Sequence, residues 1–303
     1  MFDIIGDIHG HADKLEALLQ KMGYEQHKGH YAHAERKALF IGDYIDRGPK
    51  IRETLQIVRS MVESDAAIAL MGNHEYNAIC FHFPETEGGH LRKHEIKNIL
   101  QHYATLEQFQ NRQQEYDGYI DWFKTLPLFY ENDHFRAVHA CWDKGHIALL
   151  RGVLSNGCLN DQLIYESAKK GGLFNLAIED TLKGKELILP GQIKYKDADG
   201  HYRSEYRIKW WEDPTRMNYK SIAVEALKTI PELPIDPISV SGTDYYNQNE
   251  KPVFFGHYWL QGQPFLYRDN ICCVDFSVAK MGVLAAYRFD GEKVLESDKL
   301  VWV

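Results

Sequence analysis

Phe2-Asp-Ile-Ile-Gly-Asp-Ile-His-Gly10 is followed by two stretches of the same shape, Ala38-Leu-Phe-Ile-Gly-Asp-Tyr-Ile-Asp-Arg-Gly48 and Ala66-Ala-Ile-Ala-Leu-Met-Gly-Asn-His-Glu75. Each is a short apolar run ending in Gly and a polar residue. Between the first two, Leu15, Leu18, Leu19 and Met22 recur at the spacing of one helix face; between the second two, Ile51, Leu55, Val58 and Val62 do the same. Strand, helix, strand, helix, strand at these intervals predicts parallel strands joined by crossovers. Ligands of open α/β sheets collect outside the carboxyl ends of the strands, which is where each Gly-polar pair falls.

Beyond this unit the texture changes. Leu91 to Tyr116 is polar and helix-favouring, and Tyr119–Leu126 has the pattern of a short amphipathic helix, so a helical insertion is expected over about 80–126. Leu128–Tyr130 and Phe135–Val138 read as strands joined by a turn at Glu131–His134. Residues 143–185 read as helical, and Tyr195–Tyr202 carries a hairpin-turn signal. Five further strands are expected at Val253–Phe255, Phe265–Tyr267, Ile271–Phe276, Val283–Phe289 and Val294–Val303. No repeat, low-complexity tract or Gly/Pro-rich linker divides the chain. Residues 1–303 are therefore expected to be a single domain with a variable region over about 143–250.

Composition sets outer limits. The chain of 303 residues is 44% hydrophobic and 13% aromatic, enough for a sizeable core and too aromatic for disorder. No apolar run approaches the ~20 residues of a membrane helix, and the N-terminus lacks a basic n-region, so a cytoplasmic protein without membrane partners is expected. The five cysteines lack C-x-x-C spacing; adjacent Cys272 and Cys273 read as buried thiols of a reducing compartment. A net charge of −8 removes the general attraction to nucleic acid, leaving a local basic groove as the only route to it. Fifteen histidines in an acidic chain raise the question of a metal site.

The residues at the run ends are Asp7 and His9, then Asp43, Asp46 and Arg47, then Asn73 and His74. Later, His139 closes Phe135-Arg-Ala-Val-His and His257 closes Val253-Phe-Phe-Gly-His. Carboxylate, amide and imidazole together suit Mn, Fe, Zn or Co. Taken singly, Asp7, Asp43 and Asn73 read equally well as helix N-caps, Arg47 as a surface ion-pair partner, and His139 and His257 as core histidines. Their joint placement after apolar runs favours a site.

The order GD-x-HG, GD-x-x-DRG, GNHE, VHA and GH resembles that of the calcineurin-like metallophosphoesterases, in the phosphoprotein-phosphatase branch, nearest to bacterial serine/threonine phosphatases and bis(5'-nucleosyl)-tetraphosphatases. The resemblance covers roughly residues 2–77, 135–142 and 253–290. It implies an α/β fold, the four-layer α/β/β/α sandwich of two mixed sheets flanked by helices; the motifs themselves support only its first half. It also implies two divalent metal ions, Mn first with Fe, Zn, Co or Ni as alternatives. Asp7 and His9 would hold one, Asp43 would bridge both, and Asn73, His139 and His257 would hold the second. Such a pair can share a hydroxide that attacks phosphorus at neutral pH. His74 resembles the general acid, oriented by Asp46, while Arg47 and Asn73 resemble phosphate-binding groups, Arg47 with a fork suited to phosphate.

A second phosphate arginine is expected in this branch. Arg207-Ile-Lys-Trp-Trp-Glu-Asp-Pro-Thr-Arg216 is similar to the Trp-and-Arg segment of bacterial bis(5'-nucleosyl)-tetraphosphatases and of the polynucleotide kinase-phosphatase module, which points to Arg216 first and Arg207 second. Val138-His-Ala-Cys-Trp142 leans the same way and departs from the HGG of eukaryotic protein phosphatases, with Cys141 in place of the usual Gly. Phe276-Ser-Val-Ala279 departs from a Thr-Gly-rich turn. The expected activity is hydrolysis of phosphate monoesters, with a serine/threonine phosphoprotein substrate first. Symmetric diadenosine tetraphosphate hydrolysis and nucleic-acid end-phosphate removal, the latter disfavoured by charge, are alternatives; a silent phosphate- or partner-binding module comes last. Of the remaining histidines, His27, His30 and His33 read as a solvated loop, and His82, His90, His94 and His102 as surface or local hydrogen-bonding residues. His11, Trp142, Tyr258, Trp210 and Trp211 are candidate pocket walls with core packing as the default for the aromatics.

Overall fold

The computed structural model describes residues 1–196, 202–225, 230–240 and 244–303. The three apolar runs form strands Phe2–Ile5, Lys37–Phe40 and Ala67–Ala69, paired side by side and parallel. The helices between them are α1 (Ala12–Lys21), burying Leu15, Leu18 and Leu19, and α2 (Ile51–Glu63), burying Ile51, Leu55, Val58 and Met61. Strand Val283–Phe289 adds antiparallel to Phe2–Ile5 and is itself paired antiparallel with Asp275–Phe276 and Leu300–Trp302, completing a six-stranded mixed sheet. A second, four-stranded mixed sheet runs Ile271–Cys273, Val253–Phe255, Arg136–Val138, Phe129–Glu131; the first three are mutually parallel and the last is antiparallel.

The two sheets are packed face to face. Side chains alternate across a strand, and Ile4, Leu39 and Leu70 of the first sheet meet Phe135, Ala137, Phe254 and Cys272 of the second in one buried cluster. Their neighbours Ile5, Ala38 and Phe40 point away, into a core shared with α1 and α2. Val138, Val253, Phe255 and Cys273 point out of the second sheet against Trp142, Ile147, Trp210 and Trp211. Both faces of both sheets are covered, which is why these strands read as unbroken apolar runs. The expected α/β sandwich of two mixed sheets flanked by helices is thus present.

Among the described residues, the remaining α-helices of seven or more residues are α3 (Asn73–His82), α4 (Ile96–Gln108), α5 (Gln113–Lys124), α6 (Lys144–Val153), α7 (Asp161–Ser167) and α8 (Leu173–Lys183). The last three bear out the helical reading of 143–185. Elsewhere the expectation is corrected. Residues 91–95 are not helical, and α5 starts at Gln113, six residues before the expected amphipathic helix, so the long polar stretch is two helices broken at 109–112. Phe265–Tyr267 is not a strand; its rings pack on Phe276 and Trp211 instead. Ile271–Phe276 is split, since the chain leaves the second sheet at Cys273 and joins the first at Asp275. Of Val294–Val303 only Leu300–Trp302 is a strand, after a 3-10 turn at Ser297–Lys299.

Tyr195–Lys196 and Tyr202–Arg203 pair antiparallel as the hairpin signal predicts, and the turn itself, 197–201, lies outside the described residues. Two pairings had no clear signal: Glu25–His27 with His30–Ala32, where a loop was expected, and Glu186–Ile188 with Glu205–Arg207. The latter organises a small separate core of Leu187, Leu189, Tyr206, Ile208, Tyr219 and Ile222. All five cysteines are free thiols, and Cys272 and Cys273 are buried as expected. Among the described residues, no helix is long and apolar enough to cross a membrane.

Candidate active site

Five strand ends from both sheets converge. Asp7 and His9 follow Phe2–Ile5, Asp43 follows Lys37–Phe40, Asn73 opens α3 after Ala67–Ala69, His139 follows Arg136–Val138 and His257 follows Val253–Phe255. All six side chains belong to residues no more than 8% exposed. His9, Asp43 and His257 hold left-handed backbone conformations, with φ of 47°, 55° and 72°; such strain costs ~1–3 kcal/mol per residue and gathers at functional sites. Gly42 has φ +109°, and a Cβ there would lie 2.6 Å from Gly72 and 2.9 Å from His139 Nδ1. A Cβ on Gly256 would lie 2.0 Å from Asp7 Oδ1. Side chains at either position would fill the centre of the cluster.

Asp43 is that centre. Its Oδ2 is 3.5 Å from His9 Nε2 and its Oδ1 3.5 Å from His139 Nε2. His9 Nδ1 donates to Ile45 O at 3.0 Å and His139 Nδ1 to Ile41 O at 2.8 Å. That choice of tautomer turns the Nε2 lone pairs toward the carboxylate. Lone pairs facing a carboxylate need a cation among them. The same need shows in the unpaired buried atoms: Asp7 Oδ1, His9 Nε2 and both ring nitrogens of His257 have no hydrogen-bond partner, an omission that costs ~1–3 kcal/mol per group when nothing else binds there. Ligand atoms of His9, Asp43 and His74 lie within 4.8 Å of one another, as do those of Asp43, His139 and His257, with Asp43 common to both groups. Asn73 Oδ1 is 3.0 Å from His139 Nε2, beside the second group. Asp7 belongs to neither; its Oδ2 accepts from the His257 backbone N–H at 3.0 Å.

The electrostatics fit the same reading. Burial lowers the His9 pKa to about 4 and holds His257 well below the ordinary value, so both are neutral imidazoles with lone pairs to give. Burial alone would raise Asp43, but His139, His74 and His9 around it turn the net shift downward. Asp7 is raised well above a normal carboxyl by burial, then by Asp275 and Asp43. Crowded buried carboxylates of this kind are stabilised by added positive charge.

Beside this cluster stands His74, whose backbone N–H donates to Asp43 Oδ1 at 3.0 Å and whose Nδ1 lies 2.5 Å from Asp46 Oδ2. Asp46 Oδ1 in turn accepts from His102 Nδ1 at 2.9 Å and from Thr105 Oγ1 at 2.5 Å. His102 Nε2 meets the Tyr116 hydroxyl. Burial would raise Asp46, yet the hydrogen bonds from His102 and His74 carry it far below the carboxylate range. Burial would lower His74, and the charges of Asp43 and Asp46 reverse that to a raised value. Glu75, fully buried, accepts from the backbone N–H groups of Gly72, Asp43 and Tyr44 at 2.8–3.0 Å and so fixes the Asp43 loop.

His74, Asp46, Asn73, His257 and Arg47 line a cavity of about 690 Å³. Seven of its lining residues are Lys or Arg and four are Asp or Glu, in a chain of net charge −8. Phe81, Tyr195, Tyr202, Tyr206 and Trp259 supply aromatic surface. Trp259 stacks on His9 at 5.1 Å, with Arg47 at 5.5 Å and Lys280 at 4.4 Å from its ring.

Arg207 lines the cavity, and Arg216 does not: its side chain is 83% exposed and paired with Asp213. His11 is the residue before α1 and is not part of the lining. Trp142, Trp210, Trp211 and Tyr258 are buried in the core outside the second sheet. Sequence reasoning missed His102 and Thr105, whose only signal is an i, i+3 pair on one face of α4. It also missed Asp275, which accepts from the backbone N–H of Trp259 at 2.7 Å and of Ser277 at 3.0 Å.

Two buried groups of potential metal ligands sharing a carboxylate, a histidine held by a depressed aspartate and a basic cavity are a set that can cleave a phosphoester. Comparison with known proteins agrees. A bis(5'-nucleosyl)-tetraphosphatase [asymmetrical] of Oceanobacillus iheyensis is 31% identical over 213 residues, covering 70% of this chain and 76% of the relative. One of Halalkalibacterium halodurans is 46% identical over 74 residues, so that match spans only 30% of the relative's length and 24% of this chain. A symmetrical bis(5'-nucleosyl)-tetraphosphatase of Psychromonas ingrahamii is 30% identical over 135 residues, 45% of this chain and 41% of the relative. Among solved structures, a cold-active protein tyrosine phosphatase aligns with TM-score 0.53 at 20% identity, over 95% of this chain and 73% of that one. A protein serine/threonine phosphatase of Saccharomyces cerevisiae aligns with 0.52 at 13%, over 100% and 78%; at these identities the likeness is one of fold. The calcineurin-like phosphoesterase model matches residues 1–257, so the chain belongs to the calcineurin-like phosphoesterase family and is a hydrolase of phosphoester bonds.

Proposed function

We propose that this chain is a binuclear metal-dependent phosphoesterase whose preferred substrate is a nucleotide carrying several phosphates, of the bis(5'-nucleosyl) polyphosphate class. The observation that carries this reading is the cavity. An excess of Lys and Arg beside aromatic rings, in a chain that is acidic as a whole, suits a compact polyanion with flat bases. The names of the relatives point the same way. A phosphoprotein substrate is the second reading; it rests on the GD-x-x-DRG and GNHE motifs and their resemblance to the phosphoprotein-phosphatase branch.

Asp7, His9, Asp43, Asn73, His139 and His257 are the residues that would hold two divalent cations, with Asp43 between them. When bound, such a pair supplies hydroxide at neutral pH and offsets charge on the phosphoryl oxygens. Around it the chain's own groups act in turn. Arg47, with no carboxylate partner among the described residues, keeps its fork for the phosphoryl oxygens while its plane rests over Trp259. Asn73 adds an amide contact, and Arg207, which lines the same cavity, a second cation. His74 donates the Nε2 proton to the leaving oxygen, whether that oxygen belongs to an alcohol or to another phosphate. Asp46 keeps the other ring nitrogen protonated and the ring in place.

The test is a comparison of turnover for diadenosine tetraphosphate, a phosphoserine peptide and a 3'-phosphorylated oligonucleotide, at equal free Mn²⁺. The proposal expects the tetraphosphate to be preferred, with products that separate asymmetrical cleavage (ATP and AMP) from symmetrical cleavage (two ADP). Preference for the phosphopeptide would establish the second reading instead.

A further inference from the structure

The cavity holds a guanidinium, that of Arg92, which the phosphoesterase reading does not use. Arg92 lies in the connection between α3 and α4, half-buried, with its backbone N–H donated to Cys80 O at 2.9 Å. Its side chain is clamped by two neutral amides: Nη1 donates to Asn77 Oδ1 at 2.9 Å and Nη2 to Gln101 Oε1 at 2.6 Å. No carboxylate pairs with it among the described residues. Arginine has five donors, and two are used. Burial lowers its pKa below the ordinary arginine value, although Cys80 and Asp46 pull the other way, as expected for a cation with too little negative charge around it. Desolvated cations are ordinarily paired.

Its position relative to the metal ligands follows from helix geometry. Asn73 and Asn77 are four residues apart on α3 and both line the cavity, so Arg92's clamp lies about 6 Å along the helix from the Asn73 position. A di- or triphosphate spans that gap, and a single phosphate does not. Lys97 and Asn98, from the first turn of α4, also line the cavity, and Lys97 is one turn before Gln101 on that helix. Lys97 is exposed and has no ion-pair partner among the described residues.

We propose that Arg92, held between Asn77 and Gln101 and assisted by Lys97, is a second anion subsite that takes the phosphate next to the scissile one, so that the chain selects substrates with consecutive phosphates over simple monoesters. The clamp presents the guanidinium edge in a fixed orientation, which lowers the entropy lost on binding a planar set of phosphoryl oxygens. The inference rests on the cavity being a phosphoester site and deepens that reading. It does not depend on which base the substrate carries.

The test uses binding rather than turnover. The protein is titrated calorimetrically, with Mn²⁺ in excess in cell and syringe, against methylphosphonate and against methylenediphosphonate, which the enzyme does not hydrolyse. The diphosphonate is expected to bind at least about tenfold tighter, the factor one charge-assisted hydrogen-bonded pair supplies. Arg92→Gln should remove most of that ratio and Lys97→Ala, on exposed surface where folding is not at stake, about threefold of it. Equal affinity for the two ligands in the unaltered protein, or a ratio that neither substitution changes, overturns the subsite. Failure of the wider reading is separate: it would show as no metal-dependent hydrolysis of any nucleotide, whatever the phosphonate ratio.

Discussion

The two walls of the cavity are built on opposite principles. On the strand-end wall, Asn73, His74 and His257 line the cavity and belong to one buried cluster with Asp7, His9, Asp43 and His139, fixed by backbone carbonyls and N–H groups. On the facing wall, Arg207, Tyr206 and Tyr195 come from short two-stranded pairs over a small satellite core. The first wall tolerates almost no change of geometry, because its atoms must meet at one point. The second needs charge and aromatic surface within reach, which many loop arrangements supply. In the proposed function, chemistry belongs to the buried wall and substrate choice to the open one.

The largest effects should come from the buried wall. Asp43→Ala, or removal of divalent metal with chelator, should bring p-nitrophenyl phosphate hydrolysis to background; appreciable activity in either case would break the division. His74→Ala should lower kcat by about 10²–10⁴-fold for an alkyl phosphate. The same substitution should cost much less for p-nitrophenyl phosphate, whose leaving group needs little protonation; equal losses would remove His74 from the acid role. Thr105→Val, which strips two hydrogen bonds from Asp46, one to its carboxylate and one from its backbone N–H, should reduce kcat by about ten- to a hundredfold with KM little changed, as for other groups that orient reacting ones.

The open wall should respond in KM instead. Arg207→Ala should raise KM by about tenfold, the scale of one hydrogen bond to a charged group, while Arg216→Ala, outside the cavity, should match the unaltered protein. A kcat effect at Arg207 larger than its KM effect would place it on the wrong wall. The smallest effect is expected away from both. Glu131 and Glu250 lie in an ion network with Arg136, Arg151 and Lys144 beyond the second sheet. Burial would raise both carboxylates, but these cations hold them below the ordinary value. Their contribution to stability is then full above the unfolded value of about 4.5 and is lost as pH falls through the lower folded values. Arg136→Ala should lower the melting temperature above pH 5, narrow the difference in acid, and leave KM alone.

The same contrast explains what the sequence made legible. A ligand at a strand end must follow an apolar run and a small residue, so Gly6-Asp7, Gly42-Asp43, Gly72-Asn73 and Gly256-His257 are visible as local patterns. The first sheet's parallel half is visible for the same reason. His102 and Thr105 reach Asp46 from about sixty residues away, through a packing of α4 that no local spacing encodes. Ile271–Phe276 reads as one run although two sheets share it, since every residue on either side of Val274 is buried. Arg216 resembled a phosphate ligand by neighbourhood, but the 3-10 turn at Pro214–Arg216 directs its side chain to Asp213 and solvent.

The central claim is that the five strand ends form one metal centre bridged by Asp43. Equilibrium dialysis against Mn²⁺, followed by metal analysis of the recovered protein, tests it directly. A bridged pair predicts two ions per chain, with occupancy of both positions lost together in Asp43→Ala. A single ion per chain, or stoichiometry unchanged by that substitution, would contradict it.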